Sequence, residues 1–167
     1  MTRFTRSLLA AATTFTFSAT ALAADDTIRI GFYCPLTGGS ADMGVSARNG
    51  IRLAFEEING MAGGVNGRKL ELVERDDLAN PEHAKKVVEE LIQKEKVVAT
   101  MGVCNTGVGL ATIDAFQTAK VPLIVPVSTG TPLTKKFAGA PENWIFRVSP
   151  RDEVQRSEER RVGKECR

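Results

Sequence analysis

Histidine is nearly absent from this chain of 167 residues: His83 stands alone, in a run of Pro, Glu, Ala and Lys. With three cysteines, no CxxC and no cluster of His and Cys, a metal centre has nothing to build on. Serine nucleophiles such as Ser40 or Ser128 lack a histidine base nearby in sequence, and no GxSxG elbow occurs. No GxxxxGK[ST] is present, and the first Gly-rich turn is not GxGxxG, which removes the phosphate and dinucleotide fingerprints. A basic surface is missing too. The chain totals +2, but each end contributes +2, so the body between carries −2. Such a body has no electrostatic footprint for nucleic acid. No cofactor is implied.

Long apolar runs are also scarce, except at the start. Arg3 and Arg6 form a positive region, Leu8 to Ala12 begin a short apolar stretch, and Ala21-Leu22-Ala23 fits an A-x-A cleavage site. The stretch is too short and too rich in Thr and Ser for a membrane span of about 20 residues. Residues 1–23 are expected to be a secretory signal cleaved after Ala23, which makes the periplasm the expected compartment. In such an oxidising space Cys34 and Cys104 are able to pair.

Regular alternation fills what remains. Ile28 to Tyr33 reads as a buried strand. Ala47, Ile51, Ala54, Phe55 and Ile58 then recur at helical spacing, with Arg48, Arg52, Glu56 and Glu57 on the other face, up to a stop at Asn59-Gly60. Lys69 to Arg75 is a second strand. Asn80-Pro81 opens a second helix, with Asn80 as N-cap and Glu82–Lys86 and Glu90–Lys94 as ion pairs on its wet face. Strands are expected over 97–103, 121–127 and 144–148, and a more apolar helix over about 107–119. Pro122 and Pro126 mark strand ends in the fourth. The order implies an α/β fold: a doubly wound, parallel, five-stranded sheet with helices on both faces.

In such sheets ligands bind beyond the carboxyl ends of the strands. The loops there hold Cys34 to Ser40, Asp76-Asp77, Cys104 to Gly107 and Ser128 to Thr131. Their hydroxyls, glycines and helix N-termini suit an anion such as a carboxylate. Asp76-Asp77 reads as one turn-capping residue and one solvated residue rather than a catalytic pair.

The stretches IRIGFYCPLTGGSADMG, NGIRLAFEEINGMAGGVNGRKLELVERDD, NPEHAKKVVEELI and VPLIVPVSTGTPLT resemble the leucine/isoleucine/valine-binding type of periplasmic substrate-binding protein, which serves ABC importers. The resemblance runs from Thr27 to Gln155. It implies the first lobe of a two-lobe fold, residues 24–155, with the second lobe absent. The implied ligand is a small amino-acid-like molecule. The implied partners are permease and ATPase subunits, for a protein that is monomeric at full length. By resemblance, Thr106 binds the ligand carboxylate, Val127 acts through its backbone, and Thr129 meets the polar head. Asn105 and Ser128 flank them. Met43 stands where amino-acid-binding relatives tend to carry an aromatic, so it would form a different pocket wall. Ala79 and Asn105 replace the cysteines of the relatives' disulfide. Cys34 and Cys104 end neighbouring strands in this topology and are expected to bridge instead.

The same fold serves receptor and sensor domains, and gene neighbours would distinguish those from an importer. An α/β enzyme would need a base that this sequence does not supply. The closing stretch, RSEERRVGKECR, is a residue-for-residue match to a translated short-read library adapter. Residues 156–167 are therefore expected to be an artefactual tail. A half-cleft of this kind would leave apolar surface exposed and would be incompetent to bind ligand by lobe closure.

Overall fold

The computed structural model describes residues 27–61 and 63–157. The expected signal peptide lies outside them, as does the expected tail except Arg156 and Ser157, which continue a short helical segment over 152–157. Strands β1 (Thr27–Cys34), β2 (Lys69–Asp76), β3 (Ala99–Gly102), β4 (Leu123–Val125) and β5 (Ile145–Arg147) form one sheet in the order β2-β1-β3-β4-β5. Every pairing is parallel. Helices α1 (Ala41–Met61), α2 (Pro81–Glu89), α3 (Thr106–Ala119) and α4 (Pro132–Lys135) connect the strands in turn.

Handedness places the helices. The β1-to-β2 step runs one way along the sheet and every later step runs the other way, so right-handed crossovers put α1 on one face and α2, α3 and α4 on the other. The larger core forms under the three helices. It joins Tyr33, Val73, Val103, Leu123, Val125 and Ile145 of the sheet layer to Val87, Val88 and Leu91 on the α2 side, Ile113 and Phe116 of α3, and Leu133 of α4. Tyr33 stacks on Phe116 with ring centroids 5.8 Å apart. Its hydroxyl meets the Thr112 hydroxyl at 2.9 Å, so burial, which pushes the phenol well up, does not orphan the group. The smaller core holds Phe32, Cys34 and Cys104, with Ala47 and Ile51 of α1 packed over them. Among the described residues no helix covers the α1 side of β4 and β5. Along the row Met101–Ile124–Phe146 the first two are half-buried, whereas Phe146 and, beyond it, Val148 are 49% and 76% exposed.

Several elements differ from the expected ones for identifiable reasons. Helix α1 runs through Asn59 because that side chain bonds both the N–H and the C=O of Leu70, at 2.8 and 2.9 Å, instead of stopping the helix. Strand β3 ends at Gly102 because Val103 turns into the left-handed region, φ 73°. Pro122 and Pro126 bracket β4. Asn80 caps α2 as expected, accepting from Glu82 and His83 amides, and His83 is partly buried. The expected Glu82–Lys86 and Glu90–Lys94 pairs give way to Lys85–Glu82 at 2.8 Å and to Arg75, which reaches both Glu90 (3.1 Å) and Glu95 (2.7 Å). One guanidinium nitrogen of Arg75 serves both carboxylates while another donates to the Glu74 carbonyl, a spread of donors over two nitrogens that a single ammonium does not have.

Burial sets the expected mutational costs. Phe116→Ala removes a fully buried ring and is expected to cost about 3–5 kcal/mol. Phe146→Ala, on the uncovered row, is expected to cost under about 1 kcal/mol. Equilibrium denaturation of the two variants checks this ordering.

Candidate functional site

Strand β1 has β2 on one side and β3 on the other, and connections leave in opposite directions from this point. The order is that of the sheets in which ligands sit at the β1/β3 switch point. The loops after β1, β3 and β4 meet there.

The β1 loop is pinned by Asp76. One carboxylate oxygen accepts from the Leu36 and Leu78 amides, each at 2.9 Å, and the other accepts from the Thr37 hydroxyl at 2.6 Å. Burial pushes this carboxyl up, but the hydrogen bonds outweigh burial and hold it below its usual value. Gly44 lets α1 start against the loop, because any Cβ there would strike the Pro35 carbonyl. Neither aspartate is the solvated one of the expected pair: Asp77 is fully buried and Asp76 is tied into the β1 loop. The Asp77 amide donates to the Cys34 carbonyl at 3.2 Å, and left-handed Leu78 and Ala79 fold the turn over it. One of its oxygens caps Ala79 at 2.8 Å; the other has no partner. Burial accordingly pushes the Asp77 carboxyl up, helped by repulsion from Asp76.

Thr106 begins α3, and its hydroxyl meets the Ser128 hydroxyl at 2.8 Å. Asn105 occupies the N-cap position without a side-chain capping bond, and its Oδ1 is buried and unpartnered. The first amides of α3 have no carbonyl within the helix to donate to. Gly130 is required where it stands, since a Cβ there would run into the Thr106 side chain. Behind the hydroxyls, the β4 loop is tied by its carbonyls: Ser128 accepts from the Ser149 hydroxyl at 2.7 Å, and Thr129 and Gly130 accept from Arg147 at 3.2 and 2.6 Å. The Thr129 hydroxyl makes no hydrogen bond among the described residues. Val127 and Met43 face one open cleft of about 520 Å³ with Asp42, Ser46, Ala47 and Pro126. Cys34 and Cys104 are joined as a disulfide, with Cα atoms 5.4 Å apart.

The structure thus brings Asn105, Thr106, Val127, Ser128 and Thr129 to one edge, and Met43 shares the cleft with Val127 alone of these. Sequence reasoning missed Arg147 and Ser149, which support that edge, and the pinning role of Asp76. The available signal was position alone: all three follow or end strands at the same edge. Among the described residues no group of three or more His, Cys, Asp or Glu could hold a metal, and no helix is long and apolar enough to cross a membrane.

The two neighbouring aspartates are expected to drive stability in opposite directions with pH. Asp76 is depressed, so its contribution is present above the unfolded carboxylate value near about 4 and is lost as pH falls through the folded one. Asp77 is raised, so its contribution is present at low pH and is lost as pH rises through the folded value. Asp77→Asn is expected to stabilise the protein by about 1 kcal/mol at pH 7 and to leave it unchanged at pH 3. Asp76→Asn is expected to destabilise it at pH 7, and by progressively less as pH falls. Thermal melts across that range check both signs.

Comparison with known proteins places the chain in a family. A family model described as periplasmic binding protein matches residues 27–157. The leucine-, isoleucine-, valine-, threonine- and alanine-binding protein of Pseudomonas aeruginosa is 35% identical over 132 residues, 79% of this chain and 34% of that protein. The substrate-binding protein LivJ of a branched-chain amino acid transporter from Streptococcus pneumoniae, solved with isoleucine, superposes with a TM-score of 0.69 at 33% identity, covering 75% of this chain and 34% of its own. A solute-binding protein of an ABC transporter from Rhodopseudomonas palustris, solved with 3,4-dihydroxybenzoic acid, gives 0.66 at 32% identity, covering 75% and 32%. The chain therefore spans about a third of the length of these relatives. With the fold and the family match over residues 27–157 in agreement, the chain belongs to the periplasmic binding protein family.

Proposed function

We propose that this chain is the first ligand-binding lobe, residues 24–155, of the solute-binding component of an ABC importer. The importer takes branched-chain amino acids or related small carboxylates or amides. The component captures its ligand in the periplasm, after export and cleavage behind Ala23, and delivers it to a membrane permease driven by an ATPase. The observation that carries the reading is the convergence of the Thr106 and Ser128 hydroxyls with the free amides of the α3 N-terminus at the switch point. This group stabilises a carboxylate by hydrogen bonding and by the positive end of the helix dipole. The relatives above, named for amino acids and solved with isoleucine or an aromatic acid, share a carboxylate in their ligands.

Capture by closure needs a second lobe, so the 167-residue chain is expected to bind no amino acid at micromolar concentration. Titration calorimetry with isoleucine and with 3,4-dihydroxybenzoic acid checks this. Long reads across the source locus, begun upstream of the Gln155 codon, test the parent assignment. The expected result is a frame that continues into a second α/β lobe beside permease and ATPase genes. A genomic stop after RSEERRVGKECR would overturn it. In the product of the continued frame, Thr106→Val is expected to weaken ligand binding about tenfold or more, since it leaves a carboxylate oxygen unpaired. Unchanged affinity would remove Thr106 from the site.

A further inference from the structure

We infer that the Cys34–Cys104 disulfide is a positioning clamp for the ligand-binding edge, closing the fork between β1 and β3 and holding Val103 in its left-handed turn. The inference rests on reading this edge as the ligand-binding one.

The β1–β3 ladder ends at the pair Tyr33–Gly102. One residue later β1 is paired only with β2, Cys34 lying opposite Asp76. Strands β1 and β3 are therefore free to splay at the switch point, directly beneath the candidate site. The disulfide sits in that opening. Cys34 and Cys104 are buried in a cluster with Leu36, Met101 and Val127, and Val127 lines the cleft, so the bridge lies beneath that wall. Between Gly102 and Cys104 stands Val103, a buried β-branched residue with φ 73°. That conformation is costly for such a side chain and persists only where its surroundings over-determine it. Three constraints act here. The Val103 amide donates to the Tyr33 carbonyl at 3.3 Å, the Val103 carbonyl accepts from the Ser128 amide at 3.1 Å, and the next residue is tied covalently to β1. The Ser128 amide belongs to the residue whose hydroxyl meets Thr106. A single covalent bond thus connects the β1 loop, the left-handed turn, the start of α3 and the β4 loop.

Closing the bridge converts two thiols to one disulfide, with loss of two protons and two electrons. Exchange with a small disulfide such as oxidised glutathione takes these up and releases two glutathione thiols. Reduction by dithiothreitol runs the reverse, leaving cyclic oxidised dithiothreitol.

Amide hydrogen exchange by NMR tests the clamp on the 167-residue chain carrying Cys166→Ser, so that only the pair can titrate. No ligand is used, so this test and the binding assays fail independently. The Val103 and Ser128 amides report the turn; the Val121 amide, bonded to the Phe116 carbonyl at 3.1 Å at the far end of α3, reports the rest of the fold. Reduction is expected to speed exchange at Val103 and Ser128 about tenfold or more while Val121 changes less than about twofold. A Cys34→Ala/Cys104→Ala variant is expected to show the same pattern without reductant. Equal acceleration at all three amides would make the bridge a general staple and overturn the inference. So would unchanged exchange at Val103 and Ser128, or two reactive thiols before any reduction.

Discussion

Strand β1 is the member on which both faces of the molecule depend. It alone has strands on each side from which the chain departs in opposite directions, and its last residues alternate between two cores. Tyr33 faces Phe116 and Thr112 under three helices; Phe32 and Cys34 face α1. Parallel pairing leaves both faces of the strand to be covered by crossover connections. The right-handed crossover then decides how many helices each face receives. One face gets three and the other gets one, and the bare end of the second face, at Phe146 and Val148, follows from the strand order.

The same asymmetry makes the candidate site. A crevice opens only where neighbouring connections diverge, so the loops after β1 and β3 part at their carboxyl ends. The structure spends unusual groups there: left-handed Leu78, Ala79 and Val103, a buried aspartate with one unpartnered oxygen, and an N-cap asparagine whose Oδ1 is unpaired. Each costs stability, and strain of this kind gathers where surrounding structure holds it and function uses it. Closing a loop with sequence separation 70 by the disulfide contributes about 4 kcal/mol on the chain-entropy account, enough to offset several such costs.

Support for the hydroxyl pair comes from residues that never face it. Arg147 and Ser149 hold the carbonyls of Ser128, Thr129 and Gly130, which leaves the Ser128 side chain free to meet Thr106. Asp76 does the equivalent for the β1 loop. A ligand arriving at this edge would meet donors already fixed in place, so little further ordering would be charged against its binding.

The sequence by itself determined the alternation of strands and helices, the Asn80 cap, the proline limits of β4 and the loops that follow the strands at one edge of the sheet. These rest on local periodicity and on residues whose backbone preferences act within a few positions. Only the tertiary structure decided that Asn59 clamps β2 instead of ending a helix, that Arg75 captures Glu90, that Asp77 is buried, and that Val103 turns left-handed beside a bridged Cys104. Each of these depends on a partner tens of residues away or on a neighbouring strand, and no local pattern encodes which distant group will compete for a side chain.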